Sequence, residues 1–306
     1  MHPILADFGW HELPLIGRTH LYIGTYGVLF ASAALIGWLL WIRIAKRDGL
    51  DVDRIMDLGF YALLVGLLGS KVGLILTEPS YYLSSLAALS TTLRAAGVLL
   101  FGVLAGIVTI VWYSRRHGIP VWAVLDSAAP SLAIAQAVGR LGCFAAGCCY
   151  GRRAVNLPWG VRFTDPAAEM LSGTPLYDPS DPERALNILH PTQLYQAAAD
   201  FGLFLFLLWI ARRKGFTGRR ALLFIAIYSV TRGAIEFLRG DAERGVFSIP
   251  GTSLSLSTSQ IICLAGMVFV AIAWPRMKKR GIVPLPPVAA PATPSGAATA
   301  GPRSRR

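Results

Sequence analysis

The chain has 306 residues, of which 54% are hydrophobic and only 15% charged, with a mean hydropathy of +0.52. Soluble domains carry about 25% charged residues, and this much apolar surface exceeds what one small core can bury, so a soluble globular protein is excluded. The net charge of +12 is confined to short loops and to Arg303, Arg305 and Arg306; with no nucleic-acid motif beside it, the charge fits anchoring to anionic headgroups and not nucleic-acid binding.

Residues 1–20 lack the basic and apolar regions of a cleavable signal peptide. Pro3, Trp10 and Pro14 there mark an interfacial segment ahead of a first span that serves as the uncleaved insertion signal. A helical span needs about 20 apolar residues, and seven stretches meet or approach this: 21–42, 57–77, 97–113, 124–146, 194–211, 221–238 and 254–274. The predicted fold is therefore an all-α polytopic membrane protein of about seven transmembrane helices, forming one domain over 21–275. Basic clusters follow the first span (Arg43, Lys46, Arg47, Arg54), the third (Arg115, Arg116), the fifth (Arg212, Arg213, Lys214, Arg219, Arg220) and the seventh (Arg276, Lys278, Lys279, Arg280). These are every second loop, which the positive-inside rule places in the cytoplasm. The amino terminus is then outside and the carboxyl terminus cytoplasmic.

The largest connection, 147–191, falls on the outer side as a small extracytoplasmic cap, and the alternation in Leu157-Pro158-Trp159-Gly160-Val161-Arg162-Phe163 predicts a short strand or hairpin within it. Residues 281–306, rich in Pro, Ala, Gly and Ser, are too poor in apolar bulk to repay ordering and read as a disordered cytoplasmic tail. No internal repeat is evident.

The spans carry charges that need a reason. An ionised side chain at bilayer depth costs at least about 2.5 kcal/mol, so it persists only beside a partner, a cavity or an anionic ligand. Arg140 stands in the fourth span, between Gly139 and Gly142, where small residues allow a neighbouring backbone or a ligand to come close. Its rigid fork of donors matches phosphate oxygens; the alternative is an arginine that snorkels to the headgroups. Arg232 and Glu236 are spaced i, i+4 and can pair on one helix face, and Tyr228 and Arg239 extend that polar stripe by a turn each way. A self-neutralising structural pair is the competing reading. His190 opens the fifth span, where a histidine caps or orients a helix more often than it acts as a base.

Cys143, Cys148 and Cys149 crowd the outer end of the fourth span. Their spacing matches no standard zinc pattern, because adjacent Cys148 and Cys149 do not easily share one tetrahedral site, so no metal is expected. A disulfide from Cys143 in an oxidising compartment and plain small-residue packing both remain open.

The run Gly139-Arg140-Leu141-Gly142-Cys143-Phe144-Ala145-Ala146-Gly147-Cys148-Cys149-Tyr150-Gly151, with Leu157-Pro158-Trp159-Gly160 after it, resembles the signature of bacterial prolipoprotein diacylglyceryl transferases. So do, in the same order along the chain, Tyr26-Gly27, His190-Pro191-Thr192-Gln193-Leu194-Tyr195 and Arg232 through Glu236 and Phe237 to Arg239. The resemblance spans about residues 3–275 and is to a seven-span fold. It implies a multi-pass enzyme of the bacterial plasma (inner) membrane that transfers the diacylglyceryl group of phosphatidylglycerol to the lipobox cysteine thiol of prolipoproteins, releasing glycerol phosphate, with no cofactor. Its implied partners are phosphatidylglycerol and prolipoprotein signal peptides. Arg140 would bind the lipid headgroup, with Gly151, Tyr228, Arg239 and His190 as further substrate-binding positions. Arg232 would be the second clamp, oriented by Glu236, and Tyr26 falls on another position the family uses.

The chain departs from that signature at several positions. The histidine often proposed as the family's base aligns with Phe101, an Asn with Cys143, a second Asn with Ala146, a Glu with Cys148, and a further Glu with Gln196. The base is left unassigned, with Glu236, Tyr26 and His190 as candidates. A thiol needs less help from a base than a hydroxyl does, so transfer survives this loss in the main reading. The alternatives are a catalytically silent homologue or scaffold that binds anionic lipid, and a transporter, against which the absence of paired repeats argues.

Overall fold

The structure, a computed structural model, describes residues 4–13, 17–92, 97–154, 157–162, 188–239, 246–248 and 255–285. All seven expected spans form helices: α1 (Thr25–Arg47), α2 (Val52–Thr77), α5 (Leu99–Arg116), α6 (Val121–Ala146), α7 (Thr192–Ala211), α8 (Arg219–Glu236) and α9 (Thr258–Arg280). Two short helices, α3 (Pro79–Tyr82) and α4 (Leu86–Thr91), follow α2. Six of the seven are long and apolar enough to cross a membrane on composition alone. The remaining one, α8, has comparable length but contains Arg219, Arg220, Arg232 and Glu236. The fold is a mostly helical polytopic membrane protein.

Two expectations shift. The first helix begins at Thr25 and not at residue 21, because the segment read as merely interfacial folds into an antiparallel hairpin, β1 (Ile4–Leu13) with β2 (Gly17–Gly24), which runs straight into α1. The strand expected at 157–163 is reduced to a single bridge between Val161 and Leu189, since Leu157 to Gly160 turn instead, with Gly160 N–H donating to the Leu157 carbonyl at 3.1 Å. Most of the cap (163–187) and of the tail (286–306) lies outside the described residues. A second small hairpin, β3 (Val246–Ser248) with β4 (Ser255–Ser257), leads into α9, where Ser257 and Gln260 form a capping box that satisfies two otherwise unpaired N–H groups.

Between apolar helices in lipid, small residues let backbones close up and gain van der Waals contact. A Cβ on Gly37 of α1 would lie 3.0 Å from the Ala135 Cβ of α6, and a Cβ on Gly69 of α2 only 2.5 Å from the Ala105 Cβ of α5. Helices α1, α6, α7 and α8 thereby form a continuous packed unit, with α2–α5 and α9 against it. Ala129 and Ala133 of α6 meet Leu203 and Leu207 of α7, and Phe224, Ile227 and Tyr228 of α8 pack on the same cluster. The outward faces, with Leu63, Leu67, Val108 and Trp112 exposed, are apolar, as a lipid-facing surface requires.

The four basic loops meet at one end of the bundle. There the Arg54 guanidinium donates to the His117 carbonyl, Arg220 pairs with Asp48, and Thr217 N–H donates to the Gly281 carbonyl. Buried Asp126 of α6 accepts the N–H groups of Gly218 (2.6 Å) and Ala221 (2.9 Å), capping the start of α8. Along α6, Arg140 stands about 21 Å from this end at 1.5 Å per residue.

Candidate functional site

At the opposite end, the helix termini are tied together by backbone. Gly151 N–H donates to the His190 carbonyl at 2.8 Å, Arg152 N–H to Leu238 at 2.8 Å, and Gly151 bridges to Arg239. A Cβ on Gly151 would sit 2.5 Å from the His190 Cβ and 2.6 Å from the Leu238 carbonyl oxygen. Gly151 is therefore required by the meeting of three backbones, and its place in the site is architectural. The His190 segment is the second fastener: Thr192 Oγ1 donates to the Cys149 carbonyl at 2.8 Å and Gln193 Nε2 to the Cys148 carbonyl at 2.6 Å. His190 itself faces Tyr195, with Nδ1 3.4 Å from the phenol oxygen, which also accepts from Trp159 Nε1 at 2.8 Å. This ring is engaged in holding the rim.

Within this frame three guanidinium groups converge. Arg140 is within electrostatic reach of Arg239 and Tyr228, and Arg232 of Arg239, Arg140 and Tyr228. Arg232 and Glu236 are 8% and 6% exposed, and the Arg232 Nη1 to Glu236 Oε2 distance is 2.6 Å. The second Arg232 amino group donates to Ser259 Oγ of α9 at 3.1 Å. Arg232 is thus fixed from two sides. Arg140, half-buried, has no hydrogen bond or ion pair to a described residue. A cation in that position, with no carboxylate paired to it among the described residues, is suited to meet an anionic group.

Tyr26, at the start of α1, is 43% exposed and lies over Gly142, whose Cβ would come within 3.3 Å of the Tyr26 ring. It is in electrostatic reach of Arg140 and of all three nearby cysteines. The expected site residues Tyr26, Arg140, Tyr228, Arg232, Glu236 and Arg239 are therefore brought together, while Gly151 and His190 form the scaffold at their edge. Phe101, in place of a histidine, packs its ring over Gly73 of α2, where a Cβ would lie 2.8 Å away.

Three features escaped sequence reasoning. Asp200 of α7 is 1% exposed, accepts from Gln196 Nε2 at 2.8 Å through Oδ1, and has no hydrogen bond at Oδ2 among the described residues. Both Arg140 and Arg232 act on it electrostatically. The cue was present, because a carboxylate inside an apolar span is as costly as the arginine that drew attention. Gln193, 1% exposed, carries no local cue to its role beyond its place in the His190 to Tyr195 run. The third feature is a correction: adjacent Cys148 and Cys149 do direct their sulfurs to one place, and the Sγ atoms of Cys143, Cys148 and Cys149 all lie within 4.8 Å of one another. All are free thiols, so no disulfide joins them. Cys149 is pushed below its ordinary pKa, first by hydrogen bonding from Cys143 and Cys148 and then by the charge of Arg239 and Arg140. The same thiol contacts and burial push Cys148 up.

Fold and site together define a multi-pass helical membrane protein that brings three guanidinium groups, Arg140, Arg232 and Arg239, together at the end of its bundle away from the basic loops. Comparison with known proteins places it further. The family model for prolipoprotein diacylglyceryl transferase matches residues 15–275, and the chain belongs to that family. The phosphatidylglycerol–prolipoprotein diacylglyceryl transferase of Clostridium tetani is 35% identical over 246 residues, covering 80% of this chain and 89% of the relative. A protein of the same name from Clostridioides difficile is 29% identical, covering 83% and 91%. One numbered 2 from Clostridium perfringens is 30% identical, covering 80% and 87%.

Proposed function

We propose that this chain transfers the diacylglyceryl group of phosphatidylglycerol to the lipobox cysteine thiol of prolipoproteins, as the names of its relatives describe for them. The observation that carries the reading is Arg140, a guanidinium half-buried in a span with no hydrogen bond or ion pair among the described residues and beside the Arg232–Glu236 pair. The reaction breaks the bond between a glyceryl carbon and a phosphate oxygen. The cysteine thiol gives up its proton to water and, as thiolate, its sulfur supplies the electron pair of the new thioether, while the leaving oxygen keeps the pair of the broken bond as glycerol phosphate.

Negative charge therefore grows on the phosphate during departure, where donors already in place stabilise it without reorganisation. Arg140 holds the phosphate and Arg232, oriented by Glu236 and Ser259, meets the developing charge. Arg239 and Tyr228 complete the headgroup site, and Tyr26 borders the approach from the bilayer. Asp200 offsets the field of the two arginines, which keeps the unoccupied site tolerable at bilayer depth. His190 is engaged with Tyr195, which favours a positioning role over that of the base.

The same reading puts the amino terminus and the site on the outer face of the bacterial inner membrane, with the four basic loops and the tail in the cytoplasm, and makes signal peptides the second substrate. The experiment is direct: purified protein in phosphatidylglycerol vesicles is given a lipobox peptide, and the mass of the peptide is followed. Gain of one diacylglyceryl group is expected. Absence of product at high enzyme, with phosphatidylglycerol retained in native mass spectra, would instead establish a silent lipid-binding homologue, which the substitutions at Phe101, Cys143, Cys148 and Gln196 would explain.

A further inference from the structure

The three convergent thiols have no part in the transfer chemistry proposed above. We propose that Cys143, Cys148 and Cys149 form a three-thiolate binding site for a soft, thiophilic metal cation of the Zn²⁺ or Cu⁺ type.

Geometry is the first ground. Metal–sulfur bonds of about 2.3 Å put three equatorial sulfurs about 4 Å apart, and the three Sγ atoms here lie within 4.8 Å of one another. Only small side-chain movements separate the observed arrangement from a coordinated one.

The second ground is how the chain achieves this. Residues 148 and 149 would direct their side chains apart in extended backbone. Instead α6 ends on Gly147 at φ 72° and the chain turns again at Cys149, φ 61°, a left-handed conformation that a residue with a Cβ adopts only at a cost. The result returns both sulfurs to Cys143, which sits one helical turn before the end of α6. Both carbonyls are held from behind by Thr192 and Gln193, so the backbone is fixed while the thiols face inward. A site with its ligands' backbone already anchored loses little freedom on binding metal.

The third ground is charge. Three thiolates around a divalent ion leave a net charge of −1, and Arg140 and Arg239 both lie in electrostatic reach of Cys149. The guanidinium groups thus balance the loaded site. Softness of the donor set selects the ion: thiolates favour Zn²⁺ and Cu⁺ over Mg²⁺ or Ca²⁺. Each thiol that binds releases its proton to solvent, and no oxidant or reductant takes part.

The test uses the full-length protein, reduced and metal-free in detergent, and needs no transfer activity, so it stands whether or not the chain is an active transferase. Cobalt(II) titration should give a sulfur-to-cobalt charge-transfer band saturating at one ion per chain and abolished by added Zn²⁺. Cys143→Ser, Cys148→Ser and Cys149→Ser should each weaken cobalt binding by at least about tenfold, with Cys263→Ser as the unchanged control. A second measurement, independent of how the variants fold, uses the unaltered chain: maleimide adducts counted by intact mass should fall by three when Zn²⁺ is present. Absence of the charge-transfer band, or maleimide labelling indifferent to Zn²⁺, would overturn the proposal.

Discussion

The two ends of the bundle treat charge in opposite ways. At the basic-loop end each buried or half-buried acid described has its partner: Asp126 caps the start of α8, Asp48 pairs with Arg220, and Asp51 accepts the Asp53 and Arg54 N–H groups at the start of α2. At the other end, among the described residues, Arg140 has no hydrogen bond or ion pair and Asp200 keeps one oxygen unbonded. Similar residue types are present at both. The difference is that one end spends its charges on closing loops, whereas the other pairs Arg232 with Glu236 but leaves Arg140 without such a partner among the described residues, inside an apolar helix where that is costly. Function belongs where the cost has no structural return.

This contrast makes its largest demand on Arg140. Arg140→Ala should reduce diacylglyceryl transfer by about 10²- to 10³-fold, the loss typical of removing one preorganised donor to developing charge, and leave thermal unfolding in detergent within a degree or two. Activity loss with an equal loss of stability would make Arg140 structural and erase the distinction between the ends.

Glu236→Gln comes next. Here the carboxylate both neutralises and aims Arg232 across 2.6 Å in a buried setting, so removing its charge leaves a buried guanidinium uncompensated, at about 3 kcal/mol. Lower unfolding temperature and lower activity are expected together, read by thermal melts and by the peptide assay. A variant that loses activity alone would show that Arg232 is stabilised chiefly by Ser259.

The sequence conveyed the parts of this picture that follow from hydropathy and local spacing. The seven helices were legible because lipid demands uninterrupted apolar helices; six of them are long and apolar enough to cross a membrane, and α8, the least apolar, was legible from its near-span length of apolar residues. The amino-terminal hairpin was not, since its strands carry no clean alternation and its order depends on pairing between segments. Convergence was also out of reach. Nothing in the spacing of Cys148 and Cys149 announces the left-handed turn at Cys149, and no local rule connects Thr192 and Gln193 to carbonyls 43 and 45 residues away. Asp200 is different: a carboxylate in an apolar span is visible in the sequence, but unlike the basic residues it points to no ready ligand class.

At the basic-loop end the reverse outcome is expected. Asp126 uses one oxygen for Gly218 N–H and the other for Ala221 N–H, and Asp126→Asn would turn an amide donor toward one of those N–H groups in a buried site. The cost is about 1–3 kcal/mol, appearing as a lower unfolding temperature, with KM for phosphatidylglycerol unchanged because α8 keeps its far end. A large rise in KM would mean that the cap sets the position of Arg232 and that the ends are coupled through α8.

The finest test compares like with like. Arg220–Asp48 and Arg232–Glu236 are both arginine–carboxylate pairs, one joining the end of α1 to the first turn of α8 and one within α8. Asp48 retains 20% side-chain exposure against 2% for Glu236, so water screens the first pair and takes up its charges when the partner is lost. Asp48→Asn should therefore cost no more than about 1 kcal/mol, diminish further in high salt, and leave transfer intact. Equal destabilisation by Asp48→Asn and Glu236→Gln, measured in the same detergent, would show that depth in the bundle does not govern the strength of these pairs, and the contrast between the two ends would then rest on Arg140 alone.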